Sequence, residues 1–400
     1  MNWRGAQNID DLRRIAQRRL PRAVYEFVAR GSEGEIGLGH NRAVLDALKI
    51  KARVMVDVSQ RNSTTRLLGH AHRLPLVVAP TGAAGLLWYQ GEVALARAAA
   101  SAGVPYTLGM SSLTPMETVR QACDGALWFQ LYLSPEQAVT DAMLDRARNA
   151  GFDALVLTVD TVVSPNREYN SHNGFSVPLR LNRRNGVDFA LHPGWAWNVV
   201  GRYLRAGGLP RFENYPQAMR ERVAQGQRGR WAPVQRDETA TWANIARLRE
   251  RWGGPLIIKG IGCLEDAQAA VAAGADALVL SNHGARNLDS AASPMEVLAG
   301  VVRAVAGRCP VWVDSGFVRG SDVFKALALG AQAVLVGRGA LYGVAAGGFE
   351  GSRRALTFYH EELLRCMAYA GVSSVAELGP AHLMDAATPA SRASAVHAPI

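Results

Sequence analysis

The sequence contains few cysteines, and none of them stands at a metal-binding spacing. Only four cysteines occur among 400 residues, and no CxxC pair is present. This scarcity excludes a disulfide scaffold and a cysteine-based zinc site, and it is typical of proteins in a reducing cytoplasm. We therefore expect a cytoplasmic protein without a metal site.

Long hydrophobic runs are also missing. The longest uncharged apolar stretch, residues 74–91, is interrupted by prolines and glycines, so it does not predict a membrane-spanning helix. The first 25 residues are charged and amphipathic, and they lack the apolar segment of a signal peptide. Hydrophobic residues make up 48% of the chain and charged residues 20%. This composition excludes disordered and fibrous proteins and indicates a globular fold.

Lysine is scarce, and the positive charge is carried almost entirely by arginine. The net charge is +10, and only four of the 44 basic residues are lysine. Residues 180–230 hold ten arginines against three acidic residues. A stretch of this charge fits an anionic membrane surface or a solvated loop. Nucleic acid is a third use of such charge, but no nucleic-acid-binding motif accompanies it, so no such partner is predicted.

Short apolar runs bounded by turn residues recur along the chain. Their continuous apolar character predicts strands buried on both faces, as in a parallel sheet. Helical patterns lie between them, and several open on Ser or Thr and close on Gly. Eight strands alternating with helices predict a (β/α)8 TIM barrel, with a doubly wound open sheet as the alternative. The runs are 74–81, 104–110, 127–133, 154–160, 255–260, 277–284, 310–316 and 333–339.

Two segments fall outside this alternation. Residues 1–73 precede the first strand and are predicted to be an N-terminal helical segment. The connection between the fourth and fifth strands, about residues 161–254, is far longer than the others. We predict that it is an insertion on the face of the barrel where active sites form. We expect a single domain, with the barrel at 74–345 and C-terminal helices and a loose tail at 346–400.

Polar residues gather at the predicted carboxyl ends of the strands. A single polar residue in an apolar run is most often a satisfied core or rim residue, but here seven strand ends carry one. Because the strand ends of a barrel meet on one face, these side chains are expected to share a pocket. Burying so many charges without a function would be costly. The charged members are Asp160, Lys259, His283, Arg286, Asp314 and Arg338.

Four motifs carry a family resemblance. WFQLY (128–132), LTVDTVV (157–163), NHGARNLD (282–289) and DSGFVRGSDVFKALALGAQAVLVGR (314–338) resemble the FMN-dependent L-2-hydroxy acid dehydrogenases and oxidases. The resemblance covers nearly the whole chain. It implies oxidation of an (S)-2-hydroxy acid to the 2-oxo acid on FMN. Mandelate is the expected substrate, and lactate or glycolate are the alternatives.

The implied reaction needs a base and a site for the substrate carboxylate. His283 is the expected base, because neutral imidazole accepts a proton at physiological pH. Asp160 is expected to hold that ring and to stabilise the imidazolium, and Lys259 to stabilise the reduced flavin. Forked guanidinium donors suit a carboxylate, and each charge-assisted pair contributes about 1.5–3 kcal/mol. The predicted substrate-binding residues are Arg167, Arg286 and, by resemblance, Tyr25 and Tyr132.

Oxidation also needs an electron acceptor that no side chain supplies, so a cofactor is expected. The resemblance implies FMN, with its phosphate at the ends of the seventh and eighth strands and its reactive face against the end of the first. No strand–GxGxxG–helix pattern indicates NAD. The residues assigned to FMN are Pro80, Thr81, Gly82, Gln130, Thr158, Lys259, Ser281, Asp314, Ser315, Gly316, Arg319, Gly337 and Arg338.

The sequence departs from the family pattern at three positions. Ala285 and Gly109 stand where the family usually has Gly and Ser, and Val318 stands where an arginine of the FMN site is expected. The neighbouring Arg319 is the predicted substitute for that arginine. Gly82 occupies a position where the oxidases tend to have alanine, and it favours a dehydrogenase that passes electrons to a quinone.

The resemblance also implies partners beyond the substrate and the quinone. It implies a homo-oligomer, a tetramer, and peripheral contact of segment 174–230 with the inner face of the cell membrane. Two alternatives stay open from the sequence. One is an FMN enzyme that uses oxygen as its acceptor. The other is a membrane-surface or nucleic-acid-binding barrel that has lost catalysis.

Overall fold

Three helices and a short hairpin precede the barrel in the computed structural model, which describes residues 2–175, 185–216 and 236–384. The side chain of Asn8 caps the first helix by accepting a hydrogen bond of 2.9 Å from the Asp11 N–H. This bond satisfies one of the free donors at the helix start. The hairpin was not predicted from the sequence. The elements are α1 (Ile9–Arg19), α2 (Arg22–Ala29), α3 (Ile36–Ala47), β1 (Thr65–Leu67) and β2 (His70–His72).

The next eight strands are all parallel and close into a barrel. They are β3 (Leu76–Thr81), β4 (Tyr106–Gly109), β5 (Leu127–Leu131), β6 (Ala154–Thr158), β7 (Leu256–Ile261), β8 (Ala277–Leu280), β9 (Val311–Val313) and β10 (Ala333–Val336). They pair in chain order around the barrel, and β10 pairs with both β9 and β3. The predicted (β/α)8 barrel is confirmed, and the open sheet is wrong because no strand of the barrel is left as an edge.

Helices follow the strands, as the sequence predicted. The described part of the insertion after β6 contains short helical turns, including a π-helical turn at Ala196–Gly201. Its last part, by contrast, forms the ordinary barrel helix that leads into β7. The helices are α4 (Gly91–Ala102), α5 (Met116–Gln121), α6 (Gln137–Asn149), α7 (Glu168–Asn173), α8 (Gly186–Ala190), α9 (Pro193–Trp195), α10 (Arg202–Arg205), α11 (Trp242–Trp252), α12 (Leu264–Ala272), α13 (Pro294–Val305), α14 (Gly320–Ala328) and α15 (Arg338–Ala370).

The interior of the barrel is filled by side chains and is not a pore. Trp128 of β5 and Trp312 of β9 stack inside it with ring centroids 5.4 Å apart. Leu67 of the hairpin packs against the same interior cluster. A larger apolar cluster lies between the strands and the surrounding helices. Because apolar side chains fill the barrel interior, polar side chains gather at the carboxyl ends of the strands, where the site forms.

Three predictions from the sequence concern membrane-spanning helices, the C-terminal tail and the membrane-contact segment. Within the three described ranges, no helix has both the length and the apolar character needed to cross a membrane. The predicted loose tail after residue 384 lies outside the described residues. Two parts of the predicted membrane-contact segment, 176–184 and 217–230, do so too.

The packing of the hairpin generates a stability prediction. Leu67 is 2% exposed, so Leu67→Ala leaves a cavity against the barrel interior and is expected to lower the free energy of unfolding by about 2–5 kcal/mol. Urea titration followed by tryptophan fluorescence measures the loss. Leu191→Ala is the matched control, because Leu191 is 73% exposed. Equal stability of the two variants would contradict a structural role for the hairpin.

Candidate active site

The imidazole of His283 lies at the centre of the strand-end residues. His283 follows β8, and its Nδ1 is 2.8 Å from Oδ1 of Asp160, which follows β6. On the other side of the ring, Nε2 is 3.5 Å from the hydroxyl of Tyr132, which follows β5. The side chain of Asn287 donates a 2.8 Å hydrogen bond to the Asp160 carbonyl. The carboxylate therefore holds the Nδ1–H tautomer and leaves Nε2 as the acceptor.

Burial and neighbouring charges set the protonation of this pair. Burial lowers the pKa of His283, Asp160 acts to raise it, and Lys259 and Arg167 lower it further, so that it ends below its ordinary value. Burial acts to raise the pKa of Asp160, but the interaction with His283 outweighs this effect and the pKa is lowered. At neutral pH the imidazole is therefore uncharged and the carboxylate ionised. These are the states that a base and its orienting partner require.

A buried ammonium lies next to this pair. The Nζ of Lys259 is 2.9 Å from Oδ2 of Asp314 and donates a 2.9 Å hydrogen bond to Oγ of Ser281. The same Oγ accepts a 2.9 Å hydrogen bond from the backbone N–H of His283. Burial acts to lower the pKa of Lys259, but Asp314 and Asp160 outweigh it and the pKa is raised. The site thus keeps a charged ammonium that Ser281 connects to the base.

Three guanidiniums meet at the edge of the site. Arg286 donates a 2.8 Å hydrogen bond to the Arg30 carbonyl, and Arg338 donates one of 3.2 Å to the Val28 carbonyl. Both carbonyls lie at the C-terminal end of α2, where the helix dipole favours cations. The Nε of Arg167 donates to the Arg286 carbonyl at 3.3 Å. Helix α2 therefore helps to assemble three positive charges beside the base.

These charges are crowded and have no carboxylate partner. Burial and the nearby Arg286 lower the pKa of Arg167 to about 9 and that of Arg338 to about 10. Both groups remain cations at neutral pH. Among the described residues, none of the three arginines forms an ion pair with a carboxylate. A cluster of buried, uncompensated guanidiniums is the arrangement that binds an anion.

Several buried polar atoms at the strand ends have no hydrogen-bond partner. They are Oγ1 of Thr81, Nε2 of Gln130 and Oγ1 of Thr158, at the ends of β3, β5 and β6. Such atoms are costly unless a ligand satisfies them. A Cβ added at Gly82, which follows Pro80 and Thr81, would approach nothing closer than the Cβ of Ser111 at 3.8 Å. Donors and acceptors beside an open backbone fit the polar edge and face of an isoalloxazine ring.

The structure brings together only some of the residues that were predicted to bind the FMN phosphate. Ser315 and Gly316 have φ of 80° and 88°, and Oγ of Ser315 accepts a 3.0 Å hydrogen bond from the Gly284 N–H. Gly337 directly precedes α15 and the cluster residue Arg338. Arg319, however, is directed away, because its guanidinium pairs with Glu362 of α15 at 2.8 Å. The structure thus does not bring Arg319 to this end of the site.

The hydroxyls of the two predicted substrate-binding tyrosines, Tyr25 and Tyr132, have different neighbours in the structure. The Tyr132 hydroxyl faces the base, as described above. The Tyr25 hydroxyl accepts a 3.3 Å hydrogen bond from Arg13, and its side chain lines a cavity of about 310 Å³ between α1, α2 and α8. Tyr25 is on the helix whose C-terminal carbonyls hold Arg286 and Arg338. Its predicted contact with the substrate carboxylate stays a prediction.

Sequence reasoning missed four residues of this site. Asn287 lies within the motif NHGARNLD (282–289), four residues after His283, and this position could have identified it from the sequence. Ser111, Tyr215 and Arg236 lie in loops without a recognisable pattern, and the last two are in the insertion. Their contacts depend on how the insertion folds back over the barrel. No three His, Cys, Asp or Glu side chains in the described parts of the chain are grouped to hold a metal ion.

Fold and site together define the class of protein, which is a (β/α)8-barrel flavin oxidoreductase. The family model of the FMN-dependent dehydrogenases matches residues 16–385. The chain belongs to that family, so the predictions of an FMN-dependent dehydrogenase and of FMN as its cofactor are confirmed.

Curated relatives and solved structures agree with this assignment. An (S)-mandelate dehydrogenase from Pseudomonas putida is 40% identical over 378 residues, which cover 94% of each chain. An L-lactate dehydrogenase from Pseudomonas paraeruginosa is 36% identical over 370 residues, covering 92% of this chain and 95% of the relative. The crystal structure of a monotopic membrane protein, an (S)-mandelate dehydrogenase, matches with a TM-score of 0.87 and 39% identity, covering 95% of this chain and 99% of the other. A mandelate oxidase solved with (S)-2-phenylpropionate has a TM-score of 0.78 and 34% identity, covering 95% and 98%.

The buried pair of Lys259 and Asp314 generates a test of the site. Lys259→Met leaves the Asp314 carboxylate buried without a counter-charge and is expected to lower the free energy of unfolding by about 3–5 kcal/mol. Lys259→Met with Asp314→Asn removes both charges and should recover much of that loss. Urea unfolding of both variants measures the difference. A double variant less stable than the single one would contradict the pairing.

Proposed function

We propose that the enzyme oxidises an (S)-2-hydroxy acid, mandelate, to the 2-oxo acid and passes the electrons to a membrane quinone. The observation that carries the proposal is the neutral Nε2 of His283 beside a cluster of guanidiniums that have no carboxylate partner in the described parts of the chain. The similarity to (S)-mandelate dehydrogenase supports mandelate as the substrate. L-Lactate is the second candidate, because L-lactate dehydrogenases match nearly the same length of chain.

Substrate binding is assigned to the guanidiniums and the tyrosines. The carboxylate of the 2-hydroxy acid would bind Arg286 and Arg167, whose forked donors orient as well as attract it. Arg286 is already fixed by the α2 carbonyls, so little side-chain entropy is lost on binding. The Tyr132 hydroxyl, 3.5 Å from Nε2 of His283, would hydrogen-bond the substrate hydroxyl and hold it beside the base.

Proton transfer is assigned to His283. Oxidation removes the hydroxyl proton and the α-hydrogen together with its electron pair. Nε2 of His283 takes a proton, and the ionised Asp160 stabilises the imidazolium that results. Lys259, Gln130 and Thr158 would hold the flavin ring at the strand ends, and the buried ammonium suits an anionic ring. Bound FMN supplies the acceptor for the two electrons that the substrate loses.

A spectroscopic experiment tests this function. We expect the purified protein to be yellow and (S)-mandelate to bleach its visible absorption without oxygen. His283→Gln should slow the bleaching by about 10²–10⁴-fold while the flavin stays bound, because the imidazole acts on the substrate. A colourless protein that FMN does not reconstitute would overturn the assignment. Near-normal bleaching of the variant would remove His283 as the base.

The pH dependence follows from the environment of His283. The pKa of this group lies below its ordinary 6.5, and the neutral form is the active one. We therefore expect kcat/KM to fall only as the pH drops through a value below 6.5. Asp160→Asn removes the group that raises the pKa of His283, so the acidic limb should move to still lower pH and kcat should fall. A limb that moves upward would contradict this electrostatic role.

Membrane contact is part of the proposal, through the described part of the insertion. Leu191, Trp197 and Leu204 are 73%, 61% and 56% exposed, and the guanidinium of Arg205 lies 4.2 Å from the centroid of the Trp197 ring. Aromatic and apolar side chains beside arginine suit the headgroup region of an anionic membrane. This surface would bring the site to the quinone at the inner face of the cell membrane, and a homotetramer would present several copies of it.

Vesicle flotation tests the membrane contact. We expect the protein to float with anionic phosphatidylglycerol vesicles and to stay behind with neutral phosphatidylcholine vesicles at low salt. Trp197→Ser with Leu204→Ser should weaken flotation and leave the bleaching by (S)-mandelate unchanged, because both side chains are exposed on the surface, at 61% and 56%. Undiminished flotation of the double variant would contradict this surface.

A further inference from the structure

A guanidinium that the proposed chemistry does not use lies beside the expected base. The Cζ of Arg236 is 3.6 Å from the centroid of the Tyr132 ring. The hydroxyl of Tyr132 is in turn 3.5 Å from Nε2 of His283. A single aromatic ring therefore separates Arg236 from the atom that accepts the substrate proton. This arginine is distinct from Arg167 and Arg286, to which the substrate carboxylate is assigned.

The side-chain hydroxyls of Tyr215 and Ser111 lie near Arg236. The hydroxyl of Tyr215 is 3.0 Å from Oγ of Ser111, and Tyr215 is only 1% exposed. Burial raises the pKa of Tyr215, while the charge of Arg236 acts in the opposite direction, so the two side chains are close neighbours. The Ser111 carbonyl accepts a 3.3 Å hydrogen bond from the Ala83 N–H. Ser111, Tyr215 and Arg236 form a polar wall beside the end of β3.

Arg236 has an unused donor at this wall. Its Nη1 is buried and lacks a hydrogen-bond partner, and no ion pair joins it to a carboxylate among the described residues. Stacking on Tyr132 is a favourable cation–π contact, but it does not give Nη1 of Arg236 an acceptor. A buried N–H donor without an acceptor is costly. An acceptor on a ligand would remove that cost.

We propose that Arg236 binds an anionic group on the side chain of the substrate, so that the enzyme prefers 2-hydroxy acids with a second carboxylate. The proposal rests on the oxidation of an (S)-2-hydroxy acid proposed above, and it adds a carboxylate to the side chain of the preferred acid, as in a carboxyl-substituted mandelate. With the first carboxylate held by Arg286 and Arg167 and the hydroxyl held at His283, the side chain remains to be placed. The polar wall offers it a guanidinium and two hydroxyls, whereas an apolar side chain would leave Nη1 of Arg236 without an acceptor. Arg236 thus acts as a specificity-determining residue.

Two pairs of substrates, one with a short and one with a long side chain, isolate the second carboxylate. (S)-2-Hydroxyglutarate is compared with (S)-2-hydroxy-5-methylhexanoate, and 4-carboxymandelate with 4-isopropylmandelate. Each pair exchanges a carboxylate for an isopropyl group of similar shape. In at least one pair we expect the wild-type enzyme to favour the dicarboxylate in kcat/KM by tenfold or more, which corresponds to about 1.4 kcal/mol. Arg236→Met should abolish or reverse this preference.

The variants separate side-chain binding from a general effect. Arg236→Lys keeps the charge and should keep part of the preference, which guards against a folding defect in the methionine variant. Arg353→Met removes an exposed arginine of α15 that pairs with Glu350, and it should leave the preference unchanged. As a readout without turnover, 2-oxoglutarate should raise the Tm of the wild-type protein more than that of Arg236→Met.

The outcomes distinguish failure of this inference from failure of the proposed function. If Arg236→Met lowers kcat/KM equally for both members of each pair, Arg236 only positions Tyr132 and the inference is overturned. If the wild-type enzyme favours the isopropyl member of both pairs, it is also overturned. If none of these acids, nor (S)-mandelate or L-lactate, bleaches the flavin, the proposed function itself fails.

Discussion

The site depends on buried positive charge at the carboxyl end of the barrel. Lys259 is neutralised by Asp314, and Asp160 serves His283, so both carboxylates of the strand ends are already engaged. The guanidiniums of Arg167, Arg286 and Arg338 are left with backbone carbonyls as partners. Carbonyl dipoles satisfy some of the N–H donors but do not balance the charge. The protein therefore favours the binding of an anion beside His283, the proposed base.

The N-terminal helices are part of this arrangement and not an appendage. The carbonyls at the end of α2 accept hydrogen bonds from Arg286 and Arg338, which follow β8 and β10. The negative end of the helix dipole thereby lowers the cost of holding two like charges close together. Because the helix holds these side chains before a ligand arrives, the entropy lost on binding is smaller. A barrel without α2 would have the same motifs but a looser anion site.

The barrel and the insertion divide the work between them. Barrel strand ends supply His283 with its partner Asp160, the ammonium of Lys259 and the unpartnered atoms that fit a flavin. The insertion supplies Arg236, which stacks on Tyr132, and Tyr215, which contacts Ser111, and it also supplies the exposed Trp197. Reaction chemistry is thus held on rigid strands, whereas selectivity and membrane contact are assigned to a segment that can vary without disturbing the barrel.

Local sequence patterns were sufficient to predict the barrel architecture and most of the residues to which the chemistry is assigned. Strands buried on both faces leave continuous apolar runs, so all eight barrel strands were predictable, and the motifs around Asp160, His283 and Arg286 lie within short stretches of chain. The hairpin β1–β2 was not predictable, because its three-residue strands form neither a continuous apolar run nor an alternation long enough to recognise. The tertiary structure alone decided that Arg319 pairs with Glu362 and that Arg236 stacks on Tyr132. Such partners are far apart in the chain, and their contact depends on how separate elements pack, which no local pattern records.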